Sequence, residues 1–225
     1  MTQTESGNRL LWIQTDEFSD PELYRRAYAL LSPERQQRID AYRFESDRRL
    51  SLGAGLLLRE GLRRCGIDAP EVAFGAHGKP YLKDRQSPQF NLSHAGSIAV
   101  LALSERPVGV DVEHCRTFQD ALLRRVFSPE ELQNAPMTAP ERYYTRLWTV
   151  KESVMKYFGA GLSLDPRKIR IASGLPITVS CEGYDCALLR FTTGQLEDCM
   201  LCVCSETEPF PARFTQLCAA ELLAT

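Results

Sequence analysis

Two Ser-Pro-Glu triplets, at 32–34 and 128–130, lie 96 residues apart, and the chain after each follows the same outline. Each triplet is a helix start, with Ser as N-cap, Pro in the first helical position and Glu in the first turn. The first opens SPERQQRIDAYRF and leads into a longer helix over about 46–64, whose Leu50, Leu57, Leu58 and Leu62 form an apolar stripe. Gly66 stops that helix and Pro70 confirms the break. After the second triplet come a long helix over about 140–158, a stop at Gly159 and Gly161, and Asp165-Pro166 at nearly the offset of Asp68-Ala69-Pro70. Repeated punctuation of this kind predicts an internal duplication, two α+β lobes with helices against antiparallel sheets.

Short strands fill the intervals. They are expected at 9–14 and around 71–74, 89–92, 97–103 and 108–113, then near 168–171, 177–180, 186–192, 199–204 and 213–218. The polar turn Ser104-Glu105-Arg106-Pro107 divides the lobes, giving 1–104 and 105–225. A chain of 225 residues with 44% hydrophobic and 25% charged residues can bury a core without disulfides or metal staples. Its net charge of −2 argues against general nucleic-acid binding, which needs a basic face. No cationic-then-apolar leader and no run near 18 apolar residues is visible, so a cytoplasmic protein with no membrane partner is expected. The eight cysteines then read as reduced thiols. Cys199-x2-Cys202-x-Cys204 reads as small buried hydrophobes on a strand, where Cys199 and Cys202 face opposite ways.

Three segments carry chemistry. In Val108-Gly-Val-Asp-Val-Glu113 the three valines share one face, and Gly109, Asp111 and Glu113 share the other. Carboxylate residues at i and i+2 have Cα atoms about 6.5 Å apart, and two charges at that spacing repel by roughly 2–3 kcal/mol at an effective dielectric of ~20. A solvated charged face screens that repulsion; a bound Mg²⁺ removes it, with Gly109 leaving space. In Arg146–Lys156, Trp148, Glu152 and Lys156 are spaced by four and lie on one helical face, flanked by Lys151. Leu147, Val150, Val154 and Phe158 form an apolar stripe opposite. The plain alternative is an exposed Glu–Lys pair worth ~0.3–0.5 kcal/mol, but Trp is an odd choice for open solvent. Only five of the 27 basic residues are lysine, and two of them are here. Gly78-Lys79-Pro80 is a tight turn without Walker spacing. In Phe90–Gly96 the neighbours Ser93 and His94 point to opposite faces of a strand, which argues against a nucleophilic serine; a hydroxyl, an imidazole and strand-end N–H groups suit a phosphate.

Together, Gly78-Lys-Pro80, Phe90–Gly96, Val108–His114, Phe127–Leu132 and Arg146–Leu164 resemble, in order and spacing, the 4′-phosphopantetheinyl transferases of the surfactin-synthetase type. The resemblance runs over about 30–205. It implies a pseudo-two-fold pair of α+β lobes with coenzyme A and Mg²⁺ (or Mn²⁺) in the cleft. It implies transfer of 4′-phosphopantetheine from coenzyme A to a serine of an apo acyl or peptidyl carrier protein, in fatty-acid, polyketide or peptide synthesis, releasing adenosine 3′,5′-bisphosphate.

The same resemblance implies roles for residues. Asp111, Glu113 and Glu152 would hold the metal on the pyrophosphate, and Glu152 would also be the general base. Lys156 would meet the phosphates and the leaving group, with Lys151 beside it. Ser93 and His94 would bind phosphates. The backbone of His77, Gly78 and Lys79, with Pro80, would line the adenine. Arg35 and Arg38 would face the 3′-phosphate, and Arg49 or Ser51 would add a contact. Carrier contacts would come from about 160–190, and the enzyme would act as a monomer. Two rivals share these residues: a Mg²⁺-dependent phosphodiesterase or pyrophosphatase acting on coenzyme A-like nucleotides, and a non-catalytic coenzyme A-binding module.

Overall fold

The computed structural model describes residues 7–83, 87–172, 174–206, 210 and 214–224. Residues 1–6, residue 173 within the 160–190 stretch and residue 213 at the head of the last expected strand lie outside the described residues. The first half contains β1 (Arg9–Gln14), α1 (Pro21–Ala29), α2 (Pro33–Asp40), α3 (Glu45–Arg63), β2 (Val72–Phe74), β3 (Pro80–Leu82), β4 (Gln89–Ala95) and β5 (Ile98–Ser104). The second contains β6 (Val108–His114), α4 (Asp120–Val126), α5 (Pro129–Gln133), α6 (Pro140–Phe158), β7 (Ile169–Ile171), β8 (Val179–Cys181), β9 (Arg190–Leu196) and β10 (Cys199–Ser205). β11 (Thr215–Leu217) and α7 (Ala219–Leu223) close the chain.

The two halves match. Each has a 19-residue helix, α3 or α6, a small hairpin, β2–β3 or β7–β8, and three antiparallel strands in the order β1-β5-β4 or β6-β10-β9. Both triplets start helices as their chemistry requires: Ser32 Oγ accepts from the Arg35 N–H, and Ser128 and Glu131 form a reciprocal capping box. The sheets pack face to face with a helix on each outer side. β5 is therefore buried at every position: Leu101 and Leu103 face α3, while Ile98, Val100 and Ala102 meet Val108, Val110, Val112, Leu201 and Val203 of the other sheet. Each such Val, Ile or Leu side chain contributes about 1.5–3 kcal/mol on burial. Among the described residues no helix is long and apolar enough to cross a membrane.

The sheets join at β4 and β6, whose edges do not form a backbone ladder. Side chains make the bonds instead: Asn91 Oδ1 accepts from the Val110 N–H at 2.8 Å, and Ser93 Oγ accepts from the Val112 N–H at 3.3 Å. This seam sets β6 beside β4 and brings the acidic strand against the Ser93-His94 segment.

Three expectations change. The stretch 105–225 does not stay in one lobe. β11 pairs in parallel with β1, and Leu217, Ala219 and Leu222 enter the α3 core, because β1 would otherwise be an open edge. Gly109 does not leave space for a cation: a Cβ there would lie 2.0 Å from the Ser153 carbonyl oxygen, so the glycine admits the α6 backbone. α1 goes unforeseen, although Asp20, Pro21 and Glu22 repeat the cap chemistry of the two triplets. The cysteines are free, with Cys199 between the sheets and Cys204 toward α6, as alternation predicts.

Candidate active site

β6 and α6 carry the acids, and β6 lies so close to α6 because Gly109 permits it. Asp111 is 3% exposed. Its Oδ1 accepts from Lys156 Nζ at 2.7 Å and from Ser93 Oγ at 3.0 Å. Its Oδ2 is buried with no partner. Burial pushes the Asp111 pKa up; Lys156 opposes this and Glu113 adds to it. Glu152 is pushed up from 4.5 to about 7, first by burial, then by Asp111 and Glu113, against the pull of Lys156. Glu113 accepts a hydrogen bond from the Trp148 indole N–H at 3.2 Å. That bond explains a tryptophan on a charged helix face: it holds a carboxylate while its ring packs against the Phe118, Val126 and Phe127 cluster.

Three carboxylates against one ammonium, one with an orphaned buried oxygen, form a donor set that suits a hard divalent cation. They stand wider than a closed cage. Among the described residues, the group whose ligand atoms all lie within 4.8 Å of one another is a different one, His114, Asp198 and Cys199.

β4 links the acids to a second feature. Ser93 faces Asp111, and the next residue, His94, faces away into a recess of about 450 Å³ lined by Arg35, Arg38, Tyr42, Ser51 and Leu92 among others. Arg35 donates to the Ser51 carbonyl at 2.6 Å, while its Nε is buried without a partner. Arg38 lies over the Phe74 ring at 3.7 Å. Burial lowers the His94 pKa, and Lys156 and Arg35 lower it further; Arg35 and Arg38 make the recess positive. An anion with two or more charges fits such a recess.

The Gly78 turn lies against the end of α6. Gly78 has φ +79 and its N–H donates to the Gly75 carbonyl at 2.9 Å. Gly159 and Gly161, also at positive φ, end α6 beside the turn, where Lys79 and His77 lie 3.4 and 3.6 Å from the positions their Cβ atoms would take.

Three of the expected ligand residues are used differently, and a fourth, Lys79, is expected to serve through its backbone alone. Lys151 is fully buried and donates to Glu131 Oε2 (2.7 Å), the Pro166 carbonyl (2.9 Å) and the Val126 carbonyl (3.2 Å); one residue from Glu152 is about 100° of helix, which turns it inward. Ser93 Oγ is taken by Asp111, Lys156 and the Val112 N–H, so it orients the acid rather than meeting a phosphate. Lys79 Nζ donates to the Tyr157 and Val108 carbonyls, and burial pushes it down to about 8; only the backbone of the turn, with Pro80 opening β3, is left to face a ligand. Arg49 is not among the residues lining the recess and lies 3.9 Å from Glu45. Asn91, Trp148 and Glu131 carry structural duties that the motifs had not separated from the rest.

Two family models meet in the turn between β5 and β6. One, described as 4′-phosphopantetheinyl transferase, N-terminal, matches residues 19–106; the other, the 4′-phosphopantetheinyl transferase superfamily, matches 107–204. A 4′-phosphopantetheinyl transferase of Bacillus subtilis is 28% identical over 194 residues, 82% of this chain and 86% of the relative. The 4′-phosphopantetheinyl transferase Sfp of Bacillus subtilis strain 168 is 25% identical over 206 residues, 88% and 92% of the two chains. The 4′-phosphopantetheinyl transferase HetI of Nostoc is 33% identical over 147 residues, 60% and 62% of the two. With both lobes matched, each by its own half of one enzyme family, the chain belongs to the 4′-phosphopantetheinyl transferase superfamily.

Proposed function

We propose that this enzyme moves the 4′-phosphopantetheine group of coenzyme A to a serine of an apo acyl or peptidyl carrier protein. The observation that carries the reading is the continuity of two sites along β4: a positive recess on the His94 side and an acid cluster on the Ser93 side. Coenzyme A has two anionic ends of matching kind, a 3′-phosphate and a pyrophosphate. The first lobe takes the 3′-phosphate on Arg35, Arg38, His94 and Ser51. The backbone of His77 to Lys79 borders the adenine. The pyrophosphate then reaches Asp111, Glu113, Glu152 and Lys156 on the second lobe.

Asp111, Glu113 and Glu152 are the residues that would hold Mg²⁺. When bound, the ion neutralises charge on the pyrophosphate, which phosphoryl transfer needs more than covalent help. Glu152, with a pKa near 7, is matched to take the proton of the carrier serine. The serine oxygen bonds to the phosphorus that bears pantetheine, and the bond from that phosphorus to the bridging oxygen breaks. Lys156 stands 2.7 Å from Asp111 and is placed to meet the negative charge that appears on the departing adenosine 3′,5′-bisphosphate. Ser93 and Trp148 position Asp111 and Glu113. The hydrolase reading needs the same acids but does not explain the match of both lobes to transferases.

The test is to incubate the enzyme with coenzyme A, Mg²⁺ and an apo carrier protein and to weigh the carrier. A gain of one phosphopantetheine unit on serine supports transfer. Release of phosphopantetheine to water with the carrier unchanged indicates the hydrolase, and binding without turnover indicates the module.

A further inference from the structure

The two-residue turn from β9 to β10 (Glu197-Asp198) ends in a cluster that the transfer reaction does not use. His114 and Cys199 are direct cross-strand partners in the β6–β10 ladder. They continue the apolar face of Val112 and Leu201 to the rim of the sheet, where Asp198 in the turn meets them. His114 Nδ1 is 2.9 Å from Asp198 Oδ2, and Cys199 Sγ is 3.7 Å from Asp198 Oδ1. The three ligand atoms all fall within 4.8 Å of one another.

We propose that His114, Asp198 and Cys199 form a second cation site, built for a soft divalent ion of the Zn²⁺ class and distinct from the carboxylate site on the opposite face of β6. The donor set decides the class. One imidazole nitrogen, one carboxylate oxygen and one sulfur suit Zn²⁺ or Co²⁺ and do not suit Mg²⁺, which takes oxygen alone. The spacing agrees: tetrahedral ligands at Zn–N ~2.0 Å and Zn–S ~2.3 Å stand about 3.3–3.7 Å apart. The imidazole and the sulfur now lie against different oxygens of the Asp198 carboxylate; a turn of that exposed side chain would set one oxygen between them, and the three ligand atoms start within 4.8 Å of one another.

The frame around the cluster is fixed. Gly96 lies under the imidazole, and a Cβ there would come within 1.8 Å of His114 Nε2. The glycine at φ +58 in the β4–β5 turn thus seats the ring of a residue from the other lobe. The Cys115 N–H holds the turn by donating to the Asp198 carbonyl at 3.2 Å. Access also suits an ion: Cys199 is buried, while the His114 and Asp198 side chains are 39% and 70% exposed. Three protein ligands leave the fourth position to water. As the ion binds, the sulfur–metal bond forms and the thiol proton leaves to solvent; the proton that His114 Nδ1 shares with Asp198 also leaves that nitrogen, the ring holding its one proton on Nε2, so that Nδ1 offers its lone pair. Since Glu113 precedes His114, an ion here would stiffen the end of the strand that carries the acids.

The experiment titrates Co²⁺ alone into the full chain, with excess Mg²⁺ present to occupy the carboxylate site, and follows absorption. The expected result is one Co²⁺ per chain with a thiolate-to-cobalt charge-transfer band that Zn²⁺ abolishes. Cys199→Ser loses the band, and Asp198→Asn, an exposed change, weakens Co²⁺ binding by at least ~10-fold. Cys202→Ser, whose thiol faces α6 and Ser153, keeps it. Absence of a charge-transfer band in the wild-type chain, or a band that persists in Cys199→Ser, overturns the proposal, because the cluster is then an ordinary His–Asp pair beside a thiol.

Discussion

Glu152→Gln should abolish most activity and yet stabilise the metal-free protein at alkaline pH. The Glu152 pKa rises from 4.5 to about 7 on folding. The folded chain therefore keeps a proton that the unfolded chain has lost, and its stability falls as pH climbs from about 4.5 to 7. At ~1.4 kcal/mol per pH unit the full effect is about 3 kcal/mol. Gln has the same shape and no charge to ionise, so it escapes this loss. Between pH 5 and pH 8 the stability gap in favour of Glu152→Gln should widen by ~2 kcal/mol, or ~4–8 °C in Tm for a chain of this size. Urea unfolding in EDTA at the two pH values measures it. Mg²⁺ should narrow the gap at pH 8 by binding the wild-type acids. In the same variant kcat should fall by at least ~100-fold, as for loss of a base. A gap that does not change with pH would refute the reasoning, since the cost of gathering these carboxylates would then not reside in Glu152.

Trp148→Phe keeps the ring and removes the N–H that holds Glu113; the Mg²⁺ concentration for half-maximal activity should rise ~3–10-fold with little change in the KM for coenzyme A. Lys151→Ala leaves Glu131 buried without its partner, and urea unfolding should show a loss of about 3–5 kcal/mol, while the KM for coenzyme A of the folded fraction stays unchanged. Gly109→Ala drives a Cβ to 2.0 Å from the Ser153 carbonyl; thermal unfolding should show a large drop in Tm, and activity should fall as α6 shifts away from β6.

α6, over Pro140–Phe158, and β1, over Arg9–Gln14, fall where expected, because local chemistry sets both ends: Pro at the start and left-handed Gly159 at the stop for the helix, a compact apolar run for the strand. The parallel pairing of β11 with β1 rests on residues about 200 apart in the chain and leaves no local trace. The site divides the same way. Trp148, Glu152 and Lys156 share a face by period alone. Lys151 could have been set apart by the same period, since it sits a quarter-turn from that face. Ser93 could not, because what claims its hydroxyl is Asp111, 18 residues on, across a seam made by side chains. Resemblance brings such residues together as one ligand set; only the fold divides those that touch a ligand from those that hold the ones that do.

The central claim is that one ligand spans the arginine recess and the acid cluster. A double comparison tests it most directly: kcat/KM for carrier modification with coenzyme A and with 3′-dephospho-coenzyme A, in the wild-type enzyme and in Arg38→Ala. A charge-assisted contact to the 3′-phosphate is worth about 1.5–3 kcal/mol, or roughly 10–100-fold in kcat/KM. The account predicts that the wild type loses this factor on changing donor and that Arg38→Ala loses much less. An equal loss on changing donor in both enzymes would place the 3′-phosphate elsewhere and contradict the claim.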